Sequence, residues 1–204
     1  MLIEFSDIVS KYGLPRGIIH IGAHKMEERK DYLASNINDI IWIEANPELV
    51  EHNLPIISDS ESIFQCAISN QDDQIYDFHL TNNGESSSIL DLHLHKIHHP
   101  HIHIIETINV NSKRMDTLIR ENSINIKNYD FINLDIQGAE LLALKGFGDV
   151  LSSVKYIYTE VNTNYIYKNC CLINEIDDFL SDFSFERKET YMTEYEWGDA
   201  LYIR

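Results

Sequence analysis

The sequence contains few cysteines, no long apolar run and little positive charge. Its three cysteines are an odd number with one adjacent pair, Cys170 and Cys171, which excludes a disulfide-stabilised scaffold and is typical of a reducing compartment. The first residues, MLIEFSDIVSKYG, are too polar for a signal peptide, and no apolar run approaches the length needed to cross a membrane. These absences predict a soluble, cytoplasmic protein with no membrane partner.

Positive charge is scarce: 16 lysine and arginine residues stand against 33 aspartate and glutamate residues, which gives a net charge of −17. Such a field repels phosphate backbones, and no basic patch interrupts it, so we expect no nucleic-acid partner. We expect residues 1–204 to form a single domain with a substantial core, in which residues 1–16 are a helical cover. The sequence leaves open the oligomeric state and whether this domain belongs to a longer polypeptide.

Apolar runs alternate with helix-compatible segments along most of the chain. Short apolar runs predict the strands Gly17–Ile21, Ile40–Glu44, Ser62–Ile68, Ile75–Leu80, Glu106–Val110, Tyr129–Ile136 and Val154–Val161, and a closing pair at Phe183–Lys188 and Asp199–Ile203. Helical spacing or good helix formers predict helices at Glu4–Tyr12, Lys25–Ala34, Met115–Arg120, Ala139–Lys145 and Leu172–Leu180. This alternation predicts an α/β layered fold with a mostly parallel sheet and an antiparallel pair at one edge.

The stretch from Gly17 to Pro47 has the form of a nucleotide-binding βαβ unit. Its first strand stops at Gly22 and Ala23, where small residues let the backbone approach a ligand closely. Its second strand ends at Glu44, 22 residues after Gly22, about where a carboxylate would meet two ribose hydroxyls. The turn lacks the second and third glycines of a G-x-G-x-x-G motif, so the pyrophosphate of NAD would meet side chains. A ligand with a ribose and an adenine but no phosphate, such as S-adenosylmethionine, fits better.

Six segments carry a more specific signal: IHIGAH, IWIEANPE, FQCAIS, SSSI, INLDIQGAELLALKG and YTEVN, in this order. From about Gly17 to the C-terminus the sequence resembles the FkbM family of S-adenosylmethionine-dependent methyltransferases. The resemblance implies a Rossmann-like class I methyltransferase fold, with a mostly parallel central sheet of about seven strands and helices on both faces. It also implies methyl transfer to a hydroxyl oxygen of a sugar, a polyketide or another small metabolite.

The resemblance also implies which residues bind the cofactor. The glycine-rich first motif, the ribose-binding acid, the residues beside the adenine and the motif after the fourth strand correspond to Gly22, Ala23, His24, Glu44, Ala45, Asn46, Ala67, Ile68 and Asp135. Three positions depart from the family: His20 stands where many relatives have Asp, Gln137 where many have Glu, and Met26 where glycine is frequent. These departures support an alternative, a degenerate cofactor-binding module without catalysis.

Asp135 is the main catalytic candidate. It ends a predicted central parallel strand, so its carboxylate would lie in the crevice where α/β proteins bind ligands. Methyl transfer to oxygen requires an aligned acceptor and removal of its proton, and we expect Asp135, with Glu160 or His24, to activate the acceptor. In the alternative, Asp135 caps the helix that begins at Ala139.

A metal site is a second possibility at the same strand ends. Glu160 and Asn162 end the next strand, which lies beside Asp135 if the two strands are parallel. These three side chains would offer an all-oxygen set suited to Mg²⁺ or Mn²⁺, and such a cation would lower the pKa of a substrate hydroxyl. In the alternative, Glu160 and Asn162 line the acceptor pocket without a metal.

The segment His93–His103 holds six of the ten histidines. His95 and His99 have the i, i+4 spacing of zinc ligands, but Pro100 prevents the helix from continuing, and no cysteine or clustered carboxylate completes a site. We expect a surface loop or substrate lid that suits a sugar. The sequence as a whole predicts an S-adenosylmethionine-dependent O-methyltransferase that acts on a sugar or glycan hydroxyl, with a polyketide or other small metabolite as the alternative acceptor.

Overall fold

The computed structural model describes all 204 residues and contains ten strands and seven α-helices. The strands are β1 (Ile18–Ile21), β2 (Ile40–Glu44), β3 (Glu61–Gln65), β4 (Ala67–Ile68), β5 (Ile75–Thr81), β6 (Ile104–Lys113), β7 (Phe131–Leu134), β8 (Tyr156–Asn162), β9 (Glu186–Met192) and β10 (Trp197–Ile203). The α-helices are α1 (Phe5–Tyr12), α2 (Arg29–Ala34), α3 (Pro47–Asn53), α4 (His95–His98), α5 (Met115–Glu121), α6 (Glu140–Phe147) and α7 (Ile173–Ser181).

Seven strands form the main sheet in the order β3-β2-β1-β7-β8-β10-β9. The first five of these pair in parallel, whereas β10 runs antiparallel to both β8 and β9. The strand order reverses between β1 and β7, which places a ligand-binding crevice at the carboxyl ends of these two strands. The predicted α/β architecture, with about seven strands and an antiparallel edge, is therefore confirmed.

The central strands are buried on both faces because their residues are almost all apolar. On one face, Ile19, Ile41 and Leu134 belong to a core that α5, α6 and α7 cover. On the other face, Ile18 and Trp42 belong to a second core, which α1 and α2 cover. Because successive strand residues point to opposite faces, β1 contributes alternately to the two cores and is held rigidly between them.

The predicted strand Ser62–Ile68 is divided at Cys66. Before it, β3 pairs with β2 in the main sheet; after it, β4 pairs with β6 in a separate three-stranded sheet of order β4-β6-β5. The N–H of Cys66 donates to the carbonyl oxygen of Glu44 (3.1 Å) at the end of β2, where the main-sheet pairing stops. The small sheet therefore branches from the main sheet beside Glu44.

Two further boundaries are shifted by residues with a left-handed backbone. The predicted helix Lys25–Ala34 begins only at α2, because His24 (φ 43°) and Met26 (φ 58°) cannot belong to a right-handed helix. The predicted strand Phe183–Lys188 begins later, as β9, because Ser184 (φ 64°) forms a turn after α7.

The connection between β5 and β6, residues 82–103, packs over the carboxyl ends of the central strands. The Ser88 hydroxyl fixes its first part by donating to the carbonyl oxygen of Gln137 (2.8 Å), just after β7. The second part contains the short helix α4, whose neighbouring backbone bonds to residue 166 after β8. The connection therefore forms a wall above the crevice. No helix of the chain is both long enough and apolar enough to span a membrane.

Candidate active site

The turn after β1 brings three strand ends together. Gly22 has φ 90°, and a Cβ atom at this position would lie 1.9 Å from the carbonyl oxygen of Asp135, so only glycine fits. The N–H groups of Gly22 and Ala23 both donate to the carbonyl oxygen of Ile43 at the end of β2 (2.9 and 3.0 Å). Three of the predicted site residues, Gly22, Ala23 and Asp135, are thus adjacent.

Glu44 is fixed by the backbone of the loops that surround it. Its side chain accepts the N–H of His24 at one oxygen and the N–H of Asn46 at the other, both at 2.8 Å. Burial raises the pKa of Glu44, and these two donors oppose that rise by stabilising the carboxylate. Each oxygen keeps a free lone pair, so the carboxylate can still accept two hydroxyl groups of a ribose.

A mainly apolar cleft lies beside Glu44. Its walls include the predicted residues Ala45, Asn46, Ala67 and Ile68, and also three residues that the sequence did not indicate, Leu49, Phe78 and Ile89. Leu49 belongs to α3, which follows Glu44 directly, whereas Phe78 and Ile89 come from β5 and the loop after it, and the pairing of the small sheet brings these two to the cleft. A buried carboxylate beside an apolar slot fits the ribose and adenine of S-adenosylmethionine.

Asn46 has a second role, because its side-chain oxygen accepts the N–H of Glu48 (3.0 Å) and caps α3.

A second and more polar cavity, of about 430 Å³, lies on the other side of Asp135. Among the residues that line it, Glu160 lies in β8, Tyr167 lies in the loop after β8, and Trp197 begins β10. The five residues that line both the cavity and the apolar cleft are Gly22, His24, Glu85, Asp135 and Gln137. The cleft and the cavity therefore meet at Asp135 and its neighbours. The transfer of a group from one bound ligand to another requires two adjoining sites of this kind.

Gln137 bridges the two carboxylates of the predicted catalytic pair. Its amide nitrogen donates to Asp135 Oδ1 (2.6 Å) and to Glu160 Oε2 (2.8 Å), and its amide oxygen accepts the hydroxyl of Tyr167 (2.5 Å). The backbone of Gln137 is left-handed (φ 57°), which turns the side chain into the crevice. An amide group therefore fills the position between Asp135 and Glu160 that the predicted Mg²⁺ or Mn²⁺ would need.

The third member of the predicted metal set is Asn162, at the end of β8. Asn162 is fully buried, and neither polar atom of its side chain has a hydrogen-bond partner. Across the chain, no group of three or more His, Cys, Asp or Glu side chains is arranged to hold a metal ion. The residues present thus fit a hydrogen-bonded pair of carboxylates better than a cation centre.

The two bridged carboxylates differ in their protonation. Desolvation by the surrounding protein raises the pKa of Asp135 to about 6, and the negative charge of Asp199 adds to the rise. The hydrogen bond from Gln137 opposes it. Burial, followed by the charge of Asp135, raises the pKa of Glu160 well above its ordinary value. Of the two carboxyl groups, Asp135 is therefore the one that loses its proton more readily.

Asp135 does not cap α6. Glu140 holds this loop instead, because its Oε1 accepts the N–H groups of Ile136 (3.2 Å) and Gly138 (2.9 Å). The N-cap residue, Ala139, makes no side-chain capping bond. The capping alternative for Asp135 is therefore wrong, and its carboxylate is left to face the cavity.

His24 lies at the junction of the cleft and the cavity. Its Nδ1 atom lies 2.9 Å from Glu27 Oε1, and its carbonyl oxygen accepts the side-chain amide of Asn53 (2.6 Å). Gly84, from the loop above, leaves room for the ring: a Cβ atom there would lie 3.2 Å from His24 Nε2. The structure thus places His24 beside Gly22 and Asp135, as the sequence predicts.

Two of the departures from the family are explained by packing. His20 is buried, its Nδ1 lies 3.1 Å from the Tyr32 hydroxyl, and its ring packs on Trp42 with centroids 4.9 Å apart. Burial lowers the pKa of His20, so the ring is neutral. Met26 is buried in the core between the sheet and α1.

The histidine-rich segment forms part of the cavity wall. His95 and His99 line the cavity, and His95 Nε2 lies 3.1 Å from the hydroxyl oxygen of Ser86. Burial lowers the pKa of His95 to about 4, and the neighbouring imidazoles add to that effect. The ring of His99 packs on Tyr195 with centroids 4.7 Å apart. The segment therefore presents neutral rings to the cavity.

The sequence of the chain is similar to that of a known methyltransferase. Over 133 residues the chain is 29% identical to the 2-O-methyltransferase NoeI of Sinorhizobium fredii (strain NBRC 101917 / NGR234), covering 61% of this chain and 53% of that protein. The chain thus spans about half the length of this curated relative.

Two solved structures with a similar fold are methyltransferases. The magnesium protoporphyrin IX methyltransferase of Synechocystis PCC 6803, with bound S-adenosylmethionine, gives a TM-score of 0.52 at 10% identity, covering 98% of this chain and 75% of that one. An S-adenosylmethionine-dependent methyltransferase of Aquifex aeolicus gives 0.51 at 10% identity, covering 99% and 90%. The likeness establishes the fold, and the predicted class I methyltransferase fold is confirmed.

The family assignment rests on a match that spans most of the chain. Residues 20–187 match the family described as the Methyltransferase FkbM domain, and this range contains every predicted site residue. The chain therefore belongs to the FkbM methyltransferase domain family.

Proposed function

We propose that this protein is an S-adenosylmethionine-dependent O-methyltransferase that methylates a hydroxyl of a sugar or glycan. The observation that carries the proposal is the meeting of two different spaces at Asp135. One is an apolar cleft with the buried carboxylate of Glu44, and the other is a polar cavity lined by hydrogen-bonding groups and aromatic rings. A methyl donor and a hydroxyl acceptor need such a pair of neighbouring sites.

The cleft supplies what S-adenosylmethionine needs. Glu44 would hold the ribose hydroxyls, Ala67 and Ile68 would flank the adenine, and the turn Gly22–His24 would face the methionine part. When bound, this cofactor supplies a methyl group activated by a positively charged sulfur. Asp135 lines both the cleft and the cavity, so its carboxylate would favour the binding of that positively charged group.

The acceptor side supplies a base and a polar surface. Asp135, whose pKa of about 6 lies below neutral pH, would take the proton of the acceptor hydroxyl, while Gln137, which also donates to Glu160, holds the Asp135 carboxylate in place. Only 6 of the 21 residues that line the cavity are hydrophobic, which favours a sugar over the apolar skeleton of a polyketide. The relative NoeI, named as a 2-O-methyltransferase, supports methylation at oxygen.

The test is a methyl-transfer assay in which glycosides and oligosaccharides are incubated with S-adenosylmethionine and read by mass spectrometry. A mass gain of one methyl group, lost in Asp135→Asn, is the expected result. A protein that binds S-adenosylhomocysteine but methylates none of these acceptors would be the degenerate module, and the proposal would then fail.

A further inference from the structure

The acceptor cavity has an unusual charge. Its lining contains six acidic residues, Glu27, Glu28, Glu85, Asp135, Glu160 and Asp199, and no lysine or arginine. Lysine and arginine are the side chains that proteins use to hold phosphates and carboxylates.

The other groups that can carry positive charge do not compensate for this excess. The ammonium group of Met1 is already paired with Glu28 (3.3 Å), and His24 with Glu27 (2.9 Å). Burial holds the pKa of His95 at about 4, and burial and neighbouring imidazoles lower the pKa of His99, so both rings are neutral at pH 7. The cavity therefore offers an anion no unpaired positive charge.

The neutral groups of the cavity suit a sugar ring. Asn83, Ser86 and Asn133 present amide and hydroxyl groups, and Tyr167 and Trp197 present aromatic rings. The volume of about 430 Å³ lies within the range of ordinary small-molecule sites, roughly 300–1,000 Å³. Charges confined in such a space lie closer together than the screening length of about 8 Å at physiological ionic strength, so salt would screen their repulsion only in part.

Building on the proposed function, we infer that the acceptor is an uncharged or amine-bearing sugar unit already joined in a glycoside or glycan, and not a sugar phosphate or a nucleotide-activated sugar. A phosphate or diphosphate on the methylated ring would enter a space walled by carboxylates. The reaction that supplies the substrate must then be a glycosyl transfer that removes the nucleotide before methylation. Glu85, which lines both the cavity and the cofactor cleft and is exposed, acts as an entrance filter against anions.

The experiment compares matched acceptors on the intact protein. Methyl hexosides, the corresponding hexose 1-phosphates and the corresponding nucleotide diphosphate sugars are assayed for kcat/KM at low and at physiological salt. We expect the methyl hexoside to exceed both anionic forms by at least about tenfold, with a smaller ratio at higher salt. Equal or better turnover of the nucleotide sugar would overturn the inference.

Two charge-reversal variants test whether the acidic cavity wall causes the preference for uncharged acceptors. Glu85→Lys should reduce the ratio of kcat/KM for the methyl hexoside to kcat/KM for the anionic acceptors at least about threefold, because it places a cation at the wall that the cleft and the cavity share. Asp182→Lys makes the same change of charge on an exposed residue at the end of α7, outside the cavity, and should leave the preference as it is in the wild type. A preference that Glu85→Lys does not change, or that Asp182→Lys changes equally, would contradict the role of the cavity wall.

Binding separates this inference from the proposed function. Saturation-transfer NMR on the protein with bound S-adenosylhomocysteine would compare a methyl hexoside with its 1-phosphate. If neither is methylated, the proposed function fails, but stronger binding of the methyl hexoside would still support the charge filter. Equal or stronger binding of the phosphate would overturn it.

Discussion

Replacing Gln137 by glutamate tests the bridge between the two carboxylates. The change removes the N–H groups that Asp135 and Glu160 accept and places a third carboxyl group about 2.6 Å from Asp135 Oδ1. Two unit charges at that separation repel by about 1.6 kcal/mol in water and by about 6 kcal/mol at an effective dielectric constant of about 20. Asp135 opens onto the cavity, so the lower figure is the safer one, and it corresponds to roughly one pKa unit.

The sign follows from the role of Asp135 as a base. In the wild type, kcat should rise with pH through a pKa of about 6, since the carboxylate must be ionised to accept a proton. Gln137→Glu removes a hydrogen bond that lowers this pKa and adds a like charge, so the midpoint should move up by about one unit or more. The assay is the pH dependence of single-turnover methyl transfer.

Two further measurements make the prediction sharp. Ser88→Ala is the matched control, because it removes the hydroxyl bonds to the backbone oxygen of Gln137 and to the backbone N–H of Leu90 but no bond of either carboxylate, and it should leave the midpoint in place. In Gln137→Glu, three carboxyl groups converge, so Mn²⁺ should bind in calorimetry and move the midpoint back down. An unshifted midpoint together with no gain in Mn²⁺ binding would show that the amide does not control these carboxylates.

Three other predictions address the cofactor cleft and the metal. Glu44→Ala should weaken the binding of S-adenosylhomocysteine at least about tenfold in calorimetry, since the ribose hydroxyls would lose hydrogen bonds to a carboxylate, worth about 1.5–3 kcal/mol each. Glu48→Ala, on the exposed side of α3, is the control, and equal affinities would refute the role of Glu44. Gly22→Ala should lower the melting temperature by several degrees more than Gly84→Ala, because only the first Cβ would meet a backbone oxygen, at 1.9 Å. EDTA should leave wild-type activity unchanged, and a loss that Mg²⁺ or Mn²⁺ restores would restore the metal hypothesis.

The local parts of the site could be predicted from the sequence. Gly22 and Glu44 are set by one βαβ unit, so their spacing along the chain already fixes their proximity at two neighbouring strand ends. Asp135 and Glu160 end two parallel neighbours, and their adjacency needed only the strand order.

The parts that depend on distant pairing could not be predicted. Nothing near Cys66 indicates that the chain leaves the main sheet there, because the strand that pairs with β4 is β6, more than 40 residues later. Phe78 reaches the cleft only through that pairing. Gln137 bridges the carboxylates through a left-handed backbone that a residue other than glycine or asparagine seldom adopts, so its orientation could not be predicted from its residue type.

The wall formed by residues 82–88 has a thermodynamic consequence. Gly84 and Ser87 face the cofactor cleft, Ser86 faces the acceptor cavity, and Glu85 faces both. A ligand that orders this wall from one side changes the free energy of binding on the other side, and the coupling must be reciprocal. We therefore expect S-adenosylhomocysteine to change the affinity for an acceptor by the same factor by which that acceptor changes the affinity for S-adenosylhomocysteine. The binding free energies of the two ligands would then be coupled through residues 82–88 alone, and the sheet beneath them would not have to move.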